Sequence, residues 1–91
     1  GLPMGRQALH RSHQLATRVF ILIETQVGKV RDVVTELRTY AGIKTVDAIT
    51  GPYDVIAQIE AEDMGAVADL VTGKVQGIRG VLRTITCVTA G

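Results

Sequence analysis

The chain has 91 residues, 46% of them apolar, with a mean hydropathy of +0.24 and a formal net charge of +1. That length holds one domain at most, and a lone domain of this size hides only about 60–65% of the surface its unfolded chain exposes. The charge is uneven: residues 1–18 carry Arg6, Arg11 and Arg18 and no acid, while residues 19–91 carry seven Lys/Arg against nine Asp/Glu. With one Phe, two Tyr and no Trp, the folded part lacks the basic face and stacking aromatics of a nucleic-acid module, so direct nucleic-acid binding is set aside. No apolar run approaches the ~18 residues of a membrane span, so no membrane partner is expected. The single Cys87 cannot form an internal disulfide and fits a reducing, cytoplasmic compartment. It is expected to be a small buried hydrophobe, because no His or CxxC partner accompanies it.

Residues 1–16 read as a flexible basic tail, with Gly1 to Pro3 as an addition ahead of a native Met4. His10 and His13 would share a helical face there, but two histidines without a third ligand make a weak metal signal. "TRVFILIETQ" (17–26) is a strand, with Val19, Ile21 and Ile23 on one face and Phe20 and Leu22 on the other. "GKVRDVVTELRTY" (28–40) switches period: Val30, Val33, Val34 and Leu37 form the stripe of an amphipathic helix that stops at Gly42. "IKTVDAIT" (43–50) and "DVIAQIEA" (54–61) are two further strands joined by Gly51-Pro52-Tyr53-Asp54. "EDMGAVADLVTGKVQ" (62–76) returns to helical spacing, with Asp63 as its N-cap and Gly65 and Gly73 weakening it. Gly77 and Gly80 mark a turn before the last strand, "VLRTITCVT" (81–89).

The order β-α-β-β-α-β with short connections predicts an α+β, ferredoxin-like plait. Its four-stranded antiparallel sheet has the first and third strands at the centre and both helices on one face. Nothing else in the chain covers the other face. Phe20, Leu22 and Ile56, or their opposite-facing neighbours, then form a contiguous apolar patch, and pairing of two chains through the sheet is expected.

Catalysis needs a positioned acid, base or nucleophile. The part after residue 16 has no histidine, its carboxylates are scattered, and no Walker loop, GxGxxG or metal-ligand spacing occurs. The expectation is therefore a non-enzyme without cofactor, metal or catalytic residues. What remains is a polar cluster: Thr50, Gly51, Tyr53 and Asp54 at the corner, and Thr84 and Thr86 on one face of the last strand. Backbone N–H groups at such a corner receive a carboxylate, Asp54 accepts from an ammonium, and Thr hydroxyls serve either end of a zwitterion. The alternative carries equal weight: Thr is a normal strand residue, Gly-Pro is ordinary turn chemistry, and Asp54 caps its own turn.

At these residues the sequence resembles a family. "TVDAITGPYDVIAQIEAED", followed about twenty residues later by "GIRGVLRTITCVT", looks like the effector-binding (RAM) domain of leucine-responsive regulatory protein/AsnC transcriptional regulators. The pattern is G-x-Y-D after a strand, then G-V-x-x-T-x-T leading the last strand. The resemblance spans roughly residues 17–90. It implies dimers formed through the sheets, rings of dimers of an octamer-like kind, and an amino acid or related metabolite bound where dimers meet. Carried over by position, the ligand-binding residues are Gly51, Pro52, Tyr53, Asp54, Thr84 and Thr86, with Leu82 and Ile85 as outlying wall residues.

One departure stands out: sixteen residues before the first strand cannot hold the helix-turn-helix of the full regulators. The chain then reads either as a stand-alone effector domain over residues 17–91 or as a fragment; the Met4 start and basic tail favour the stand-alone form, acting in transcriptional regulation of amino-acid metabolism through a DNA-binding homologue. Two rivals remain open. One is a small dimeric α+β-barrel enzyme of the cofactor-free oxygenase or isomerase type, and the other is a purely structural oligomeric adaptor. ACT-type amino-acid sensors share the topology and are separated only by the GPYD and RTIT signatures.

Overall fold

The computed structural model describes residues 16–89, so the basic tail and its paired histidines lie outside the described residues. The elements run β1 (Thr17–Thr25), α1 (Val30–Leu37), β2 (Ile43–Ala48), β3 (Val55–Ala61), α2 (Met64–Gly73), a 3₁₀ turn (Val75–Gly77) and β4 (Val81–Val88). The strands form one antiparallel sheet in the order β2-β3-β1-β4. This is the expected plait, with β1 and β3 at its centre.

Alternation along the central strands decides which side is covered. Val19, Ile21 and Ile23 of β1 and Val55, Ala57 and Ile59 of β3 are buried under the helices. They pack with Val33, Val34 and Leu37 of α1, Val67 and Val71 of α2, and Val75 and Ile78 of the turn that follows. The opposite face carries Phe20, Leu22 and Ile56, each only half-buried. Residues paired across strands share a face. Ile56, Leu22 and Ile85 therefore form one apolar row across β3, β1 and β4, and Gln58, Phe20 and Cys87 form the next.

Three expectations need correction. Helix α1 ends at Leu37 rather than Tyr40, because Thr39 N donates to Glu36 O and Tyr40 N to Leu37 O, the tighter i→i+3 pattern. The second helix stops at Gly73, where Lys74 leaves helical backbone angles (φ −128°, ψ −56°) and a separate 3₁₀ turn begins. Cys87 is exposed rather than buried: it lies on the outermost strand and faces the uncovered side, opposite Phe20. The N-cap at Asp63 is as expected, its Oδ1 accepting from Ala66 N at 2.8 Å.

Gly80 fixes how β4 enters the sheet. Its φ of +100° lies in the region that favours glycine, and a Cβ there would sit 2.8 Å from Lys29 Cβ. Its carbonyl accepts from Gln26 N at 2.7 Å, tying the end of β1 to the start of β4. Gly80→Ala is expected to destabilise the fold by about 1–3 kcal/mol. Urea unfolding of the two proteins measures the difference.

Candidate functional site

The corner between β2 and β3 is closed by Ile49 N donating to Asp54 O at 2.9 Å. Gly51, at φ +149°, opens the loop, and nothing lies within 4 Å of the position a Cβ would take. Gly51 and Pro52 are exposed at the tip, whereas Tyr53 and Asp54 are half-buried at its base.

Asp54 is bound into the sheet. Its backbone N donates to Ile23 O at 2.9 Å, and its Oδ2 accepts from Thr25 N at 2.8 Å. The β1–β3 ladder ends at the Ile23–Val55 pair, so Thr25 N, which points to the same side as Ile23 O, lies beyond the last regular partner on β3. The carboxylate thus satisfies a backbone donor 29 residues away, a long-range use distinct from a local turn cap. The Thr25 hydroxyl beside it is buried and has no partner in the structure.

Tyr53 reaches across β1 towards β4. The Arg83 guanidinium carbon lies 5.6 Å from the Tyr53 ring centroid, within range of a cation–π contact. Arg83 Nε also lies 3.5 Å from Glu24 Oε1, the residue it faces across the β1–β4 ladder. Glu24, Arg83 and Tyr53 form a charged rim beside the Ile56–Leu22–Ile85 row.

Thr84 and Thr86 share a face, as their spacing requires, but it is the helix side: Thr84 pairs with Ile23 and Thr86 with Ile21. Thr84 Oγ1 accepts from Gln76 Nε2 at 3.1 Å. A groove of about 390 Å³ runs here between the 3₁₀ turn and β4, lined by Gln76, Val81, Leu82, Arg83 and Thr84. Within one chain, therefore, Thr84 and Thr86 face the helix side of β4, whereas Arg83, which meets Tyr53 of the corner, faces the open side. Leu82 (55% exposed) and Ile85 (39% exposed) are open to a neighbour.

Arg83 and Glu24 were not among the residues expected at the site. The signal lay within "GVLRTIT", where Arg83 alternates with Thr84, but its partner is visible only once the register is known. A second groove, lined by Lys29, Asp32, Glu36, Tyr40, Gly77, Ile78 and Arg79, opens on the helical side. There Tyr40 Oη donates to Glu36 at 3.0 Å; burial, then the Glu36 hydrogen bond and charge, push the phenol above its ordinary value. Among the described residues no His, Cys, Asp or Glu cluster of three or more could hold a metal ion, and no helix is long and apolar enough to cross a membrane.

Comparison with known proteins agrees with the topology. The family model for the Lrp/AsnC ligand binding domain matches residues 18–90. The HTH-type transcriptional regulator PYRAB01370 of Pyrococcus abyssi is 29% identical over 69 residues, which are 76% of this chain and 44% of that protein. The chain thus spans less than half the length of the curated relatives it matches. Among solved structures, TTHA0845 from Thermus thermophilus superposes with a TM-score of 0.78 at 27% identity, covering 82% of this chain and 94% of that one. The transcriptional regulator NMB0573 of Neisseria meningitidis, solved as an L-Met complex, shares the fold. Its TM-score is 0.79 at 20% identity, covering 89% of this chain and 54% of that one.

Because Asp54 holds Thr25 N, Asp54→Ala is expected to cost about 1–3 kcal/mol of stability, with Asp54→Asn, which keeps an acceptor oxygen, losing less. Amide hydrogen exchange at Thr25 should accelerate in the alanine variant more than exchange at Ile21.

Proposed function

The chain belongs to the Lrp/AsnC ligand-binding domain family, and on that premise we propose that it is a non-catalytic amino-acid sensor that assembles through its open sheet face. The observation that carries the assembly is the uncovered side of the sheet. Phe20, Leu22, Ile56 and Ile85 share it, rimmed by Glu24, Arg83, Gln58 and Asp47. An apolar centre with a polar rim has the anatomy of a protein interface. A two-fold pairing uses the same patch on both chains and removes it from water.

The ligand reading rests on the family match together with the corner and its neighbours. Of Gly51, Pro52, Tyr53 and Asp54 at the corner, Tyr53 meets Arg83 on the open side of β4, whereas Thr84 and Thr86 face its helix side. A pocket using both needs a second copy, as at a seam between dimers in a ring of octamer-like size. The ligand then shifts assembly by its different affinity for joined and separate states. Transcriptional regulation in the cytoplasm would act through a helix-turn-helix unit, as the names of the curated relatives suggest. In this reading the domain has no catalytic role, a proposal supported by relatives named as regulators.

Light scattering is expected to give a particle at least twice the chain's 9.7 kDa, and Leu22→Glu should reduce it to the single chain. A single-chain wild-type particle contradicts the pairing. Thermal-shift measurements with the twenty amino acids are expected to show stabilisation by some and not others. No response to any of them contradicts sensing and leaves the adaptor reading.

A further inference from the structure

We infer that the groove between α1 and the turn before β4 binds a linear zwitterion whose charges lie several bonds apart, of the ω-amino acid kind. Lys29 and Arg79 take its carboxylate, and Glu36 takes its ammonium. The groove holds about 310 Å³, at the small end of ligand sites. It is complete within one chain and opens on the helical side, which pairing through the sheet leaves uncovered. This site is therefore separate from the proposed seam between dimers.

The sequence puts opposite charges at its two ends. Asp32, Glu36 and Tyr40 recur every four residues, so they share one side of α1 and of the tight turn that continues it. Lys29 precedes that helix and packs on Gly80, where a Cβ would sit 2.8 Å from Lys29 Cβ; Arg79 is the next residue back along the chain. Lys29 and Arg79 thus mark one end, and Glu36 lies seven residues further along α1, about 10 Å away. The rest of the turn's wall is uncharged, being Gly77 and the apolar Ile78, and suits a methylene chain.

These charges are uncommitted. Among the described residues, neither Arg79 nor Glu36 has an ion-pair partner within 4.0 Å. Lys29 has only Asp32, at 4.0 Å between side chains 42% and 73% exposed, a pair that contributes little in water. Glu36 is held in place: Tyr40 Oη donates to its Oε2 at 3.0 Å, which leaves Oε1 for an ammonium. Lys74 Nζ, 5.6 Å from the Tyr40 ring centroid, steadies the ring in turn. Burial, then the bond and charge of Glu36, raise the phenol above its ordinary value, so it keeps the proton this bond needs. The mixed signs select the ligand. A simple anion is repelled by Asp32 and Glu36, a simple cation by Lys29 and Arg79, and an α-amino acid, with adjacent charges, reaches one end only.

Backbone-amide NMR of the full-length chain, in its native assembly, tests this with four probes. These are 5-aminopentanoate, its isomer L-norvaline with adjacent charges, and the singly charged pentanoate and pentylamine. 5-Aminopentanoate is expected to shift the amides of Glu36, Tyr40, Gly77 and Arg79, and to bind there at least about tenfold more tightly than the other three. Arg79→Gln should abolish the preference over pentylamine, and Glu36→Gln the preference over pentanoate. Both residues are exposed, and circular dichroism of the variants should match the wild type. A variant that folds and keeps its preference overturns the assignment of the charges. L-Norvaline moving the groove amides as strongly overturns the charge spacing. Movement confined to the corner amides of Gly51, Tyr53 and Asp54, or no movement with 5-aminopentanoate, overturns the groove site and leaves amino-acid sensing at the seam intact.

Discussion

A sheet has two faces, and this chain has helices for one of them. Buried Val19, Ile21, Ile23, Val55, Ala57 and Ile59 meet α1 and α2, while Phe20, Leu22 and Ile56 alternate with them on the same strands and have no cover. Period-2 geometry allows no escape, since turning one set inward turns the other outward. Burial of the second set therefore requires another surface. Phe20, Leu22 and Ile56 are only half-buried in the single chain, and the surface they leave open is apolar at its centre.

The same constraint places fold and candidate site together at the end of β1. The β1–β3 ladder ends at the Ile23–Val55 pair, and beyond it Asp54 supplies the acceptor for Thr25 N. That bond holds the β2–β3 corner against β1, and from there Tyr53 meets Arg83 on β4. Three segments far apart in sequence, the end of β1, the β2–β3 corner and β4, thus meet at one place. A carboxylate used in this way is worth more to stability than an exposed ion pair.

Much of this was legible in the residues. The alternating β1 and β3 strands and the Val30–Val33–Val34–Leu37 stripe determine the element order, and the order determines the plait. Helix ends were less legible, because Thr39 and Tyr40 suit a helix as well as the 3₁₀ turn that tertiary packing selects. Cys87 departs from expectation for a related reason: a small apolar residue is usually interior, but an outer strand over an open face has no interior on that side. The Asp54–Thr25 bond and the Glu24–Arg83 pair join residues separated by 29 and 59 positions, and no local pattern announces them. The facing of Thr84 and Thr86 was readable as a shared side, but which side required the pairing of Ile21 and Ile23.

Phe20 is the only phenylalanine in the chain and stands near the middle of the uncovered face, so 4-fluorophenylalanine reports on that face alone. The most direct measurement is the ¹⁹F solvent-isotope shift between H₂O and D₂O across a dilution series. If the sheets pair, the shift is close to zero at high concentration and appears only as the assembly dissociates. A full shift at every concentration would show that the ring stays in water, and would contradict the pairing on which the account rests.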